Sequence, residues 1–288
     1  MKLLELFCSI DDFWKTFKIK WEMHLIGTGK SKRGPEARLS ISEMLTIVVL
    51  FHQSNYRTFK DFYYYVSVHM RKDFPYLISY SRFVFLMKDL FIPLFAYLLN
   101  RSGSLTGISF VDSTPIQVCK QKRVKRNKVF KGFAKVGKTS IGWFYGFKLH
   151  IIIEVLSFLV TPGNVSDISV LDRLSKGVFG KMFGDKGYIS SKLEKSLFAR
   201  GLELFTTLRS NMKEKLMSLK DKALLRKRSL IETVNDQLKN ISQIEHSRHR
   251  SVSNFLVNLL SGLVAYSHQE KKPSLNLYGK DNSLMIAA

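Results

Sequence analysis

Residues 108–112 read ISFVD, and residues 143–151 read WFYGFKLHI. Both stretches are rich in β-branched and aromatic residues, which are typical of strands. In contrast, apolar side chains in residues 1–100 recur at helical spacing. The change of period at about residue 107 therefore predicts a helical N-terminal region followed by a domain built around a β-sheet.

Within the N-terminal region, Ser40 and Glu43 have the spacing of a capping box, in which each side chain accepts a hydrogen bond from the other's backbone amide. The apolar run 45–51 follows directly and predicts a buried helix. Ser81 is predicted to cap a later helix, and Pro93 is predicted to kink it because proline lacks an amide hydrogen.

After residue 107 the elements alternate in a recognisable order. The predicted elements are strands at 108–112, 143–151 and 157–161, a helix at 167–176, a strand at 181–185, a helix at 191–200, a strand at 202–208, and helices at 224–240 and 252–266. Three antiparallel strands followed by parallel strands with helical crossovers are the order of the ribonuclease H-like fold. We therefore predict an α/β protein with a ribonuclease H-like mixed sheet flanked by helices and preceded by an all-helical N-terminal domain.

The composition points to a polyanionic partner. The 288 residues include 46 Lys and Arg against 23 Asp and Glu, which gives a net charge of +23 and an isoelectric point near 10.0. A field of this size selects nucleic acid, an anionic membrane surface or an acidic protein. Hydrophobic residues make up 45% of the chain, which is enough for packed cores and argues against disorder.

The sequence carries few signs of export. Cys8 and Cys119 are far apart and form no CxxC pair, which argues against a disulfide framework and a thiolate zinc site. We expect no membrane segment and no signal peptide, because the apolar runs near the start and at 151–156 are short and meet charged residues. The expected location is the cytoplasm, in association with the nucleoid.

Three carboxylates stand out from their surroundings. Asp112 interrupts an apolar strand, Asp185 follows a short apolar strand in GDKGY, and Glu232 lies in a predicted helix. Taken singly, the first two fit an ordinary turn and the third an exposed helix position. The predicted fold, however, places Asp112 on the central strand, Asp185 at the end of the adjacent strand and Glu232 on a helix that packs over the sheet. Together they could converge.

Converging carboxylates have a defined chemistry. Adjacent anions raise one another's pKa unless a counter-charge is near. Hard carboxylate oxygens are the ligands that Mg²⁺ and Mn²⁺ prefer. Two such ions about 4 Å apart can activate an attacking oxygen and stabilise a leaving oxygen in a phosphodiester displacement. The three residues therefore predict a metal-dependent phosphoryl-transfer site.

A basic segment lies between the first two predicted strands and contains no acidic residue. Its cations are Lys120, Lys122, Arg123, Lys125, Arg126, Lys128, Lys131, Lys135 and Lys138. Phe130, Phe133 and two glycines interleave with them, which favours a loop that orders on DNA over a solvated mobile loop. Phosphate contacts of this kind give affinity without sequence readout and weaken steeply with salt.

The chain resembles the insertion-sequence transposases of the DDE class, specifically the family named IS nine-eight-two. The matching stretches are VDSTPIQVC, KVFKGFAKVGKTSIGWFYGFKLH, TPGNVSD, GDKGYIS and RSLIETVNDQLKN. The resemblance is strong over residues 105–268 and looser in the N-terminal third. It implies a ribonuclease H-like catalytic core in which Asp112, Asp185 and Glu232 hold Mg²⁺ or Mn²⁺, with two ions expected. It also implies double-stranded DNA, as element ends and target, and a homodimer in the synaptic complex.

A wider signature of related transposases is Tyr, Arg, Glu and Lys, with gaps of two, three and six residues. Arg228, Glu232 and Lys239 match its last three members, but the Tyr position falls on Leu225. On a helix the three matching residues share one face, so Arg228 and Lys239 could flank the metal site and bind phosphates. The alternative is an Arg228–Glu232 surface pair.

Further DNA contacts are expected from Lys186, Arg248 and Arg250. In the N-terminal region, residues 80–82 at a helix start are the first candidates for reading the element ends, although a plain helical packing domain is equally compatible. A metal site at His246 and His249 lacks an apparent third ligand, and a solvated basic face is the simpler interpretation.

The predicted organisation is a helical DNA-binding region at 1–104, a catalytic domain at 105–270 and a tail at 271–288. The predicted function is DNA cleavage at element ends and strand transfer into target DNA. Two alternatives stay open: a structure-selective nuclease of the same fold, and a non-catalytic DNA-binding protein derived from a transposase.

Overall fold

The structure is a computed structural model and describes residues 2–28, 37–103, 106–140, 142–153, 157–207, 217–245 and 249–273. Its helices there are α1 (Leu3–Gly27), α2 (Ile41–Gln53), α3 (Phe59–His69), α4 (Tyr80–Leu86), α5 (Phe91–Asn100), α6 (Asp167–Leu174), α7 (Ser191–Phe198), α8 (Leu219–Arg226), α9 (Ser229–Asn240) and α10 (Val252–Ser267). Its strands are β1 (Ile108–Cys119), β2 (Lys135–Lys138), β3 (Trp143–Ile153), β4 (Ser157–Pro162), β5 (Gly180–Gly184) and β6 (Leu202–Thr206). Short 3-10 helices lie at Met87–Leu90, Gln121–Arg126 and Lys186–Tyr188.

The start of α2 is capped as predicted. The Ser40 amide donates to Glu43 Oε2 at 2.7 Å, and the Glu43 amide donates to Ser40 Oγ at 3.1 Å. The predicted cap at Ser81 is wrong by two residues, because Ser79 Oγ accepts from the Arg82 amide at 3.4 Å. A cap residue must have extended backbone, and Ser79 has it whereas Ser81 already lies inside α4.

Pro93 does not kink a continuous helix. The chain leaves α-helical geometry earlier, in the 3-10 turn Met87–Leu90, and a new helix α5 begins at Phe91. Pro93 thus lies in the first turn of α5, where backbone amides have no helical partner and a missing N–H costs nothing.

The sheet is mixed, with the strand order β2-β3-β1-β5-β6 and with β4 paired to β3. β1 is antiparallel to β3 and parallel to β5, and β5 is parallel to β6. Helices flank this sheet, and the helical residues 2–28 and 37–103 precede it. The predicted α/β class with a ribonuclease H-like mixed sheet is therefore confirmed.

Two elements differ from the sequence-based expectation. β1 continues to Cys119, well beyond the predicted end at residue 112, and the additional short strand β2 pairs with β3. The predicted helix 224–240 is divided into α8 and α9, with short-range bonds such as Leu230 N to Lys227 O at 3.0 Å at the division. The division lets α8 pack against β5 and β6 while α9 crosses β1.

The two faces of the sheet bury different sets of side chains. Because side chains alternate along a strand, Phe110 and Asp112 lie on one face of β1 and Val111 on the other. The first face packs against α9 and α10, and its core continues into the N-terminal helices through contacts of α10 with α2 and α5. The second face packs against α6 and α7. The helical region and the first face of the sheet thus share one core.

One stretch of the described chain, Tyr80–Asn100, is long and apolar enough to cross a bilayer by length and composition alone, with a mean hydropathy of 1.6. A helix of a protein core meets the same criterion, so the expectation of no membrane segment stays a prediction. In the fold, this stretch is α4, the 3-10 turn and α5, and its residues Phe83, Leu90, Leu94 and Leu98 are buried in the shared core. Core packing accounts for part of its apolar character, since 39% of its 18-residue apolar window is buried.

Gly146 of β3 predicts a sensitive point in the pairing of the two longest strands. It lies opposite Gln117, where the register of β1 against β3 shifts, and a Cβ here would overlap the carbonyl oxygen of Ile116. We expect Gly146→Ala to lower the free energy of unfolding by about 1–3 kcal/mol, the usual cost of overpacking. Urea denaturation measures the change.

Gly27 provides the control, since a Cβ there meets nothing within 4 Å at the end of α1. Gly27→Ala should leave stability unchanged or raise it slightly, because alanine loses less backbone entropy in a helix. Equal stability of the Gly146→Ala variant and the unsubstituted chain would contradict the close approach of β1 and β3.

Candidate active site

Asp112 lies in the middle of β1 and points towards α9. The side-chain amide of Asn235, on α9, donates from Nδ2 to Asp112 Oδ2 at 3.0 Å. β1 continues through Ser113 and Thr114 in register with β3, so the alternative of a strand-end turn at Asp112 is wrong. The carboxylate therefore sits within the sheet, under a helix.

The other two predicted carboxylates, Asp185 and Glu232, both affect the pKa of Asp112. Burial raises the pKa of Asp112 to about 6, and the negative charges of Asp185 and Glu232 act in the same direction. The backbone amide of Ser113 and the guanidinium of Arg228 oppose this rise. Asp112 thus responds to acidic groups from two other elements of the fold.

Asp185 directly follows β5, whose parallel pairing with β1 sends both strands in the same direction. Its Oδ1 accepts from the backbone amide of Lys186 at 2.7 Å and from the Thr207 hydroxyl at 3.3 Å. It caps the 3-10 turn Lys186–Tyr188. The ordinary turn that the sequence predicted for Asp185 is therefore present. This turn holds the carboxylate at the end of β5, which lies next to the strand that carries Asp112.

Glu232 lies on α9, and its Oε1 accepts from Arg228 Nη2 at 2.8 Å. The Arg228–Glu232 pair that was the alternative to phosphate binding is therefore formed. The glutamate side chain is 56% exposed and the arginine side chain 20% exposed. The charges of Arg228 and Glu232 both act on the pKa of Asp112, so the pair borders the acidic site.

The donor set fits a hard cation by chemical type. The negative charges of Asp185 and Glu232 both act on Asp112, and Asn235 Oδ1 is a buried oxygen with no hydrogen-bond partner in the structure. Among the described residues, however, no three acidic, histidine or cysteine side chains lie close enough together to hold an ion. In this conformation the Glu232 carboxylate is paired with Arg228.

Lys239, at the far end of α9, is engaged by a different acid. Its Nζ lies 3.3 Å from Glu245 Oε2, and both side chains are about three-quarters buried. Glu245 Oε1 accepts from the backbone amide of Gln117 on β1 at 2.8 Å. Lys239 therefore ties the end of α9 to the strand that carries Asp112, and the residues at 228 and 239 are both ion-paired in the free chain.

The basic segment forms an exposed surface. Each of its nine cations is exposed: Lys120, Lys122, Arg123, Lys125, Arg126, Lys128, Lys131, Lys135 and Lys138. The segment is not a simple loop, because it contains the 3-10 helix Gln121–Arg126 and strand β2. Phe130 anchors it, with ring centroids 5.8 Å from Phe147 and 5.4 Å from Phe255.

The remaining predicted contacts divide into three groups. Lys186 and Arg250 are exposed, as a phosphate contact requires. Arg248 and His246 lie outside the described residues. His249 does not belong to a solvated face: burial lowers its pKa to about 4, and its ring lies edge-on to Phe255 at 5.5 Å.

A polar cluster behind the sheet was not predicted. Lys148 Nζ lies 3.1 Å from Asp167 Oδ1, and His150 Nε2 lies 2.8 Å from Thr161 Oγ1. Burial raises the pKa of Tyr188, whose hydroxyl has no hydrogen-bond partner in the structure. Only the position of these residues within TPGNVSD, GFKLH and GDKGY hinted at their proximity. They support the loop of Asp185 from the face opposite α9.

The raised pKa of Asp112 predicts that this residue destabilises the metal-free fold. Between about pH 4 and 6, the folded chain holds a proton on Asp112 that the unfolded chain has released, so stability falls as pH rises through this window. We expect Asp112→Asn to raise the free energy of unfolding at pH 7.5 by on the order of 2 kcal/mol, with the advantage disappearing near pH 4. Denaturation in chelator-containing buffer measures it.

Asp221 serves as the control, because its substitution should change the stability of the fold in the opposite direction. Although burial acts against it, hydrogen bonds from Lys181 and Ser218 lower the pKa of Asp221. Its charged form stabilises the fold above that pKa, so Asp221→Asn should lower stability at pH 7.5. Asp112→Asn without any gain at pH 7.5 would argue against a buried, repelled carboxylate.

Comparison with known proteins supplies the identity. A family model described as "Transposase DDE domain" matches residues 102–252, a span that contains β1 to β6 and the three carboxylates. A search of curated proteins finds no match. Because the matched span is more than half of the 288 residues, the chain belongs to the transposase DDE domain family and is a DDE-type transposase.

Proposed function

We propose that this transposase cleaves DNA at the ends of an insertion element and joins the freed 3′-hydroxyl to target DNA, using Asp112, Asp185 and Glu232. The observation that carries the proposal is the shared field of three carboxylates around the buried Asp112, bordered by Arg228. A net charge of +23 suits a protein that binds the DNA backbone. An acidic site within such a protein would need cations before a phosphate could approach it.

The three carboxylates would hold Mg²⁺ or Mn²⁺, with two ions proposed. When bound, such ions neutralise the charge that develops on the attacking and leaving oxygens of the phosphodiester. The residues of the chain orient this site: Asn235 holds Asp112, the Lys186 amide and Thr207 hold Asp185, and Arg228 holds Glu232. Release of Arg228 from Glu232 would free a guanidinium to bind a phosphate at the edge of the site.

Substrate binding is assigned to two exposed surfaces. The basic segment 120–138 would track the DNA backbone near the acidic site. In the N-terminal region, Tyr80, Ser81 and Arg82 are exposed at the start of α4 and are proposed to contact the element ends. We further propose a homodimer that brings two ends together, a place in the IS nine-eight-two family and a location on cytoplasmic DNA.

Substitution of the three acidic residues tests the proposed catalytic site directly. We expect Asp112→Asn, Asp185→Asn and Glu232→Gln each to lower Mg²⁺-dependent cleavage of end-bearing DNA by roughly two to three orders of magnitude or more, because each removes charge from the catalytic centre. DNA binding should persist, since the basic surface is unchanged. Gel-based cleavage and strand-transfer assays measure the loss.

Asp236, exposed on the same helix as Glu232, is the matched control, and Asp236→Asn should cleave normally. Retention of full cleavage by all three variants would eliminate the proposed site. Cleavage without strand-transfer products, and without preference for element ends, would instead indicate a structure-selective nuclease.

The second prediction concerns the basic segment. We expect the double variant Lys122→Ala, Lys125→Ala to bind DNA of any sequence more weakly and to reduce the slope of log affinity against log salt by about 1.8, because two phosphate contacts are lost. Fluorescence anisotropy over a salt series measures both quantities.

Lys192 and Lys195 match this pair in charge, spacing and exposure, but they lie on α7, which packs on the opposite face of the sheet. Their double alanine variant should bind DNA with an unchanged slope. Equal slopes for the two double variants would show that charge alone, and not the position of the segment, determines binding.

A further inference from the structure

Asn235 completes a row of polar residues on one face of α9. Arg228, Glu232, Asn235 and Lys239 follow one another at spacings of four, three and four, which keeps them on the same side of a helix. Arg228 and Glu232 pair with each other, and Lys239 pairs with Glu245. Asn235 is the member of the row that contacts the central strand at Asp112.

The contact is buried and directional. Asn235 is 8% exposed, and its Nδ2 lies 3.0 Å from Asp112 Oδ2. An ionised carboxylate accepts hydrogen bonds and donates none, so the amide must present its nitrogen to Asp112. This orientation fixes one carboxylate oxygen of Asp112 against the helix and sets the side-chain rotamer.

The same orientation leaves Asn235 Oδ1 buried without a hydrogen-bond partner in the structure. Buried polar atoms are paired in nearly all folded proteins, and an exception calls for an explanation such as a bound water or ion. Its neighbours in sequence, Val234 and Leu238, are buried apolar residues of the core, so a leucine of similar size would fill this position without an unsatisfied oxygen. Packing alone therefore does not account for an asparagine here.

We propose that Asn235 is a positioning residue that orients the Asp112 carboxylate for divalent-cation binding and aligns it with Glu232 one helical turn away. The inference rests on the proposed function of Asp112 and Glu232 as cation ligands. Partners that orient metal-binding side chains in this way contribute strongly to affinity. A neutral amide serves this purpose, since an aspartate at the position would add a fourth negative charge and has no hydrogen to donate.

The test measures Mn²⁺ binding to the full-length protein without DNA, by electron paramagnetic resonance of the free ion. We expect Asn235→Ala to weaken Mn²⁺ binding by roughly 10- to 100-fold, in line with other residues that orient metal ligands. Cleavage by Asn235→Ala should need a higher Mn²⁺ concentration for half-maximal activity. Much of the cleavage rate should return at saturating Mn²⁺. A merely structural role would lower stability without this specific dependence on the ion.

Asn235→Leu is tested together with Asn235→Ala, because leucine has a similar side-chain volume and keeps the core filled. It should weaken Mn²⁺ binding to the same extent. Asn240 is the matched control on the same helix: its Nδ2 also donates to an aspartate, Asp236 Oδ1, at 2.6 Å, but at an exposed position. Asn240→Ala should bind Mn²⁺ as the unsubstituted chain does. Thermal unfolding in chelator reports the stability of each variant.

The outcomes separate this inference from the proposed function. If the unsubstituted chain binds Mn²⁺ and cuts DNA while both Asn235 variants bind the ion equally well, the inference is wrong and the proposed function stands. Failure of both Asn235 variants to fold would also overturn it, since the residue would then be structural. If the unsubstituted chain neither binds Mn²⁺ nor cuts, the proposed function is wrong and the inference falls with it.

Discussion

The carboxylate of Asp112 lies in the central strand of a mixed sheet, where burial acts against its charge and raises its pKa to about 6. A fold tolerates such a group when nearby donors and cations compensate for lost hydration. Here the compensation comes from the Ser113 amide, the Asn235 side chain and the charge of Arg228. These groups therefore reduce the cost of a charge that burial makes unfavourable.

Two structural connections bring distant carboxylates to Asp112. The parallel pairing of β1 with β5 delivers Asp185 to the same edge of the sheet, and the packing of α9 across β1 delivers Glu232 from above. α9 is itself held near its middle by the Asn235–Asp112 hydrogen bond and at its C-terminal end by the Lys239–Glu245 pair beside Gln117. The Arg228–Glu232 pair lies at the N-terminal end of the same helix.

The basic surface is anchored to the same core as the acidic site. Phe130 inserts between Phe147 of β3 and Phe255 of α10, so the exposed cations of segment 120–138 extend from an ordered base. α10 also packs on α2 and α5 of the N-terminal region, which makes the helical region and one face of the sheet a continuous apolar core. The exposed cations and the strand that carries Asp112 are thereby joined through one packed structure.

The sequence by itself determined the α/β class, most strand positions and the capping box at Ser40, because periodicity and capping spacing are local properties. It missed β2, the division between α8 and α9, and the cap at Ser79, since competing local choices there are decided by packing against distant strands and helices. Only the tertiary structure decided which partners the side chains take. Asn235 carries no charge to mark it, Phe130 is buried by residues far along the chain, and Lys239 is neutralised by Glu245, because burial and pairing are properties of the assembled fold and not of any one segment.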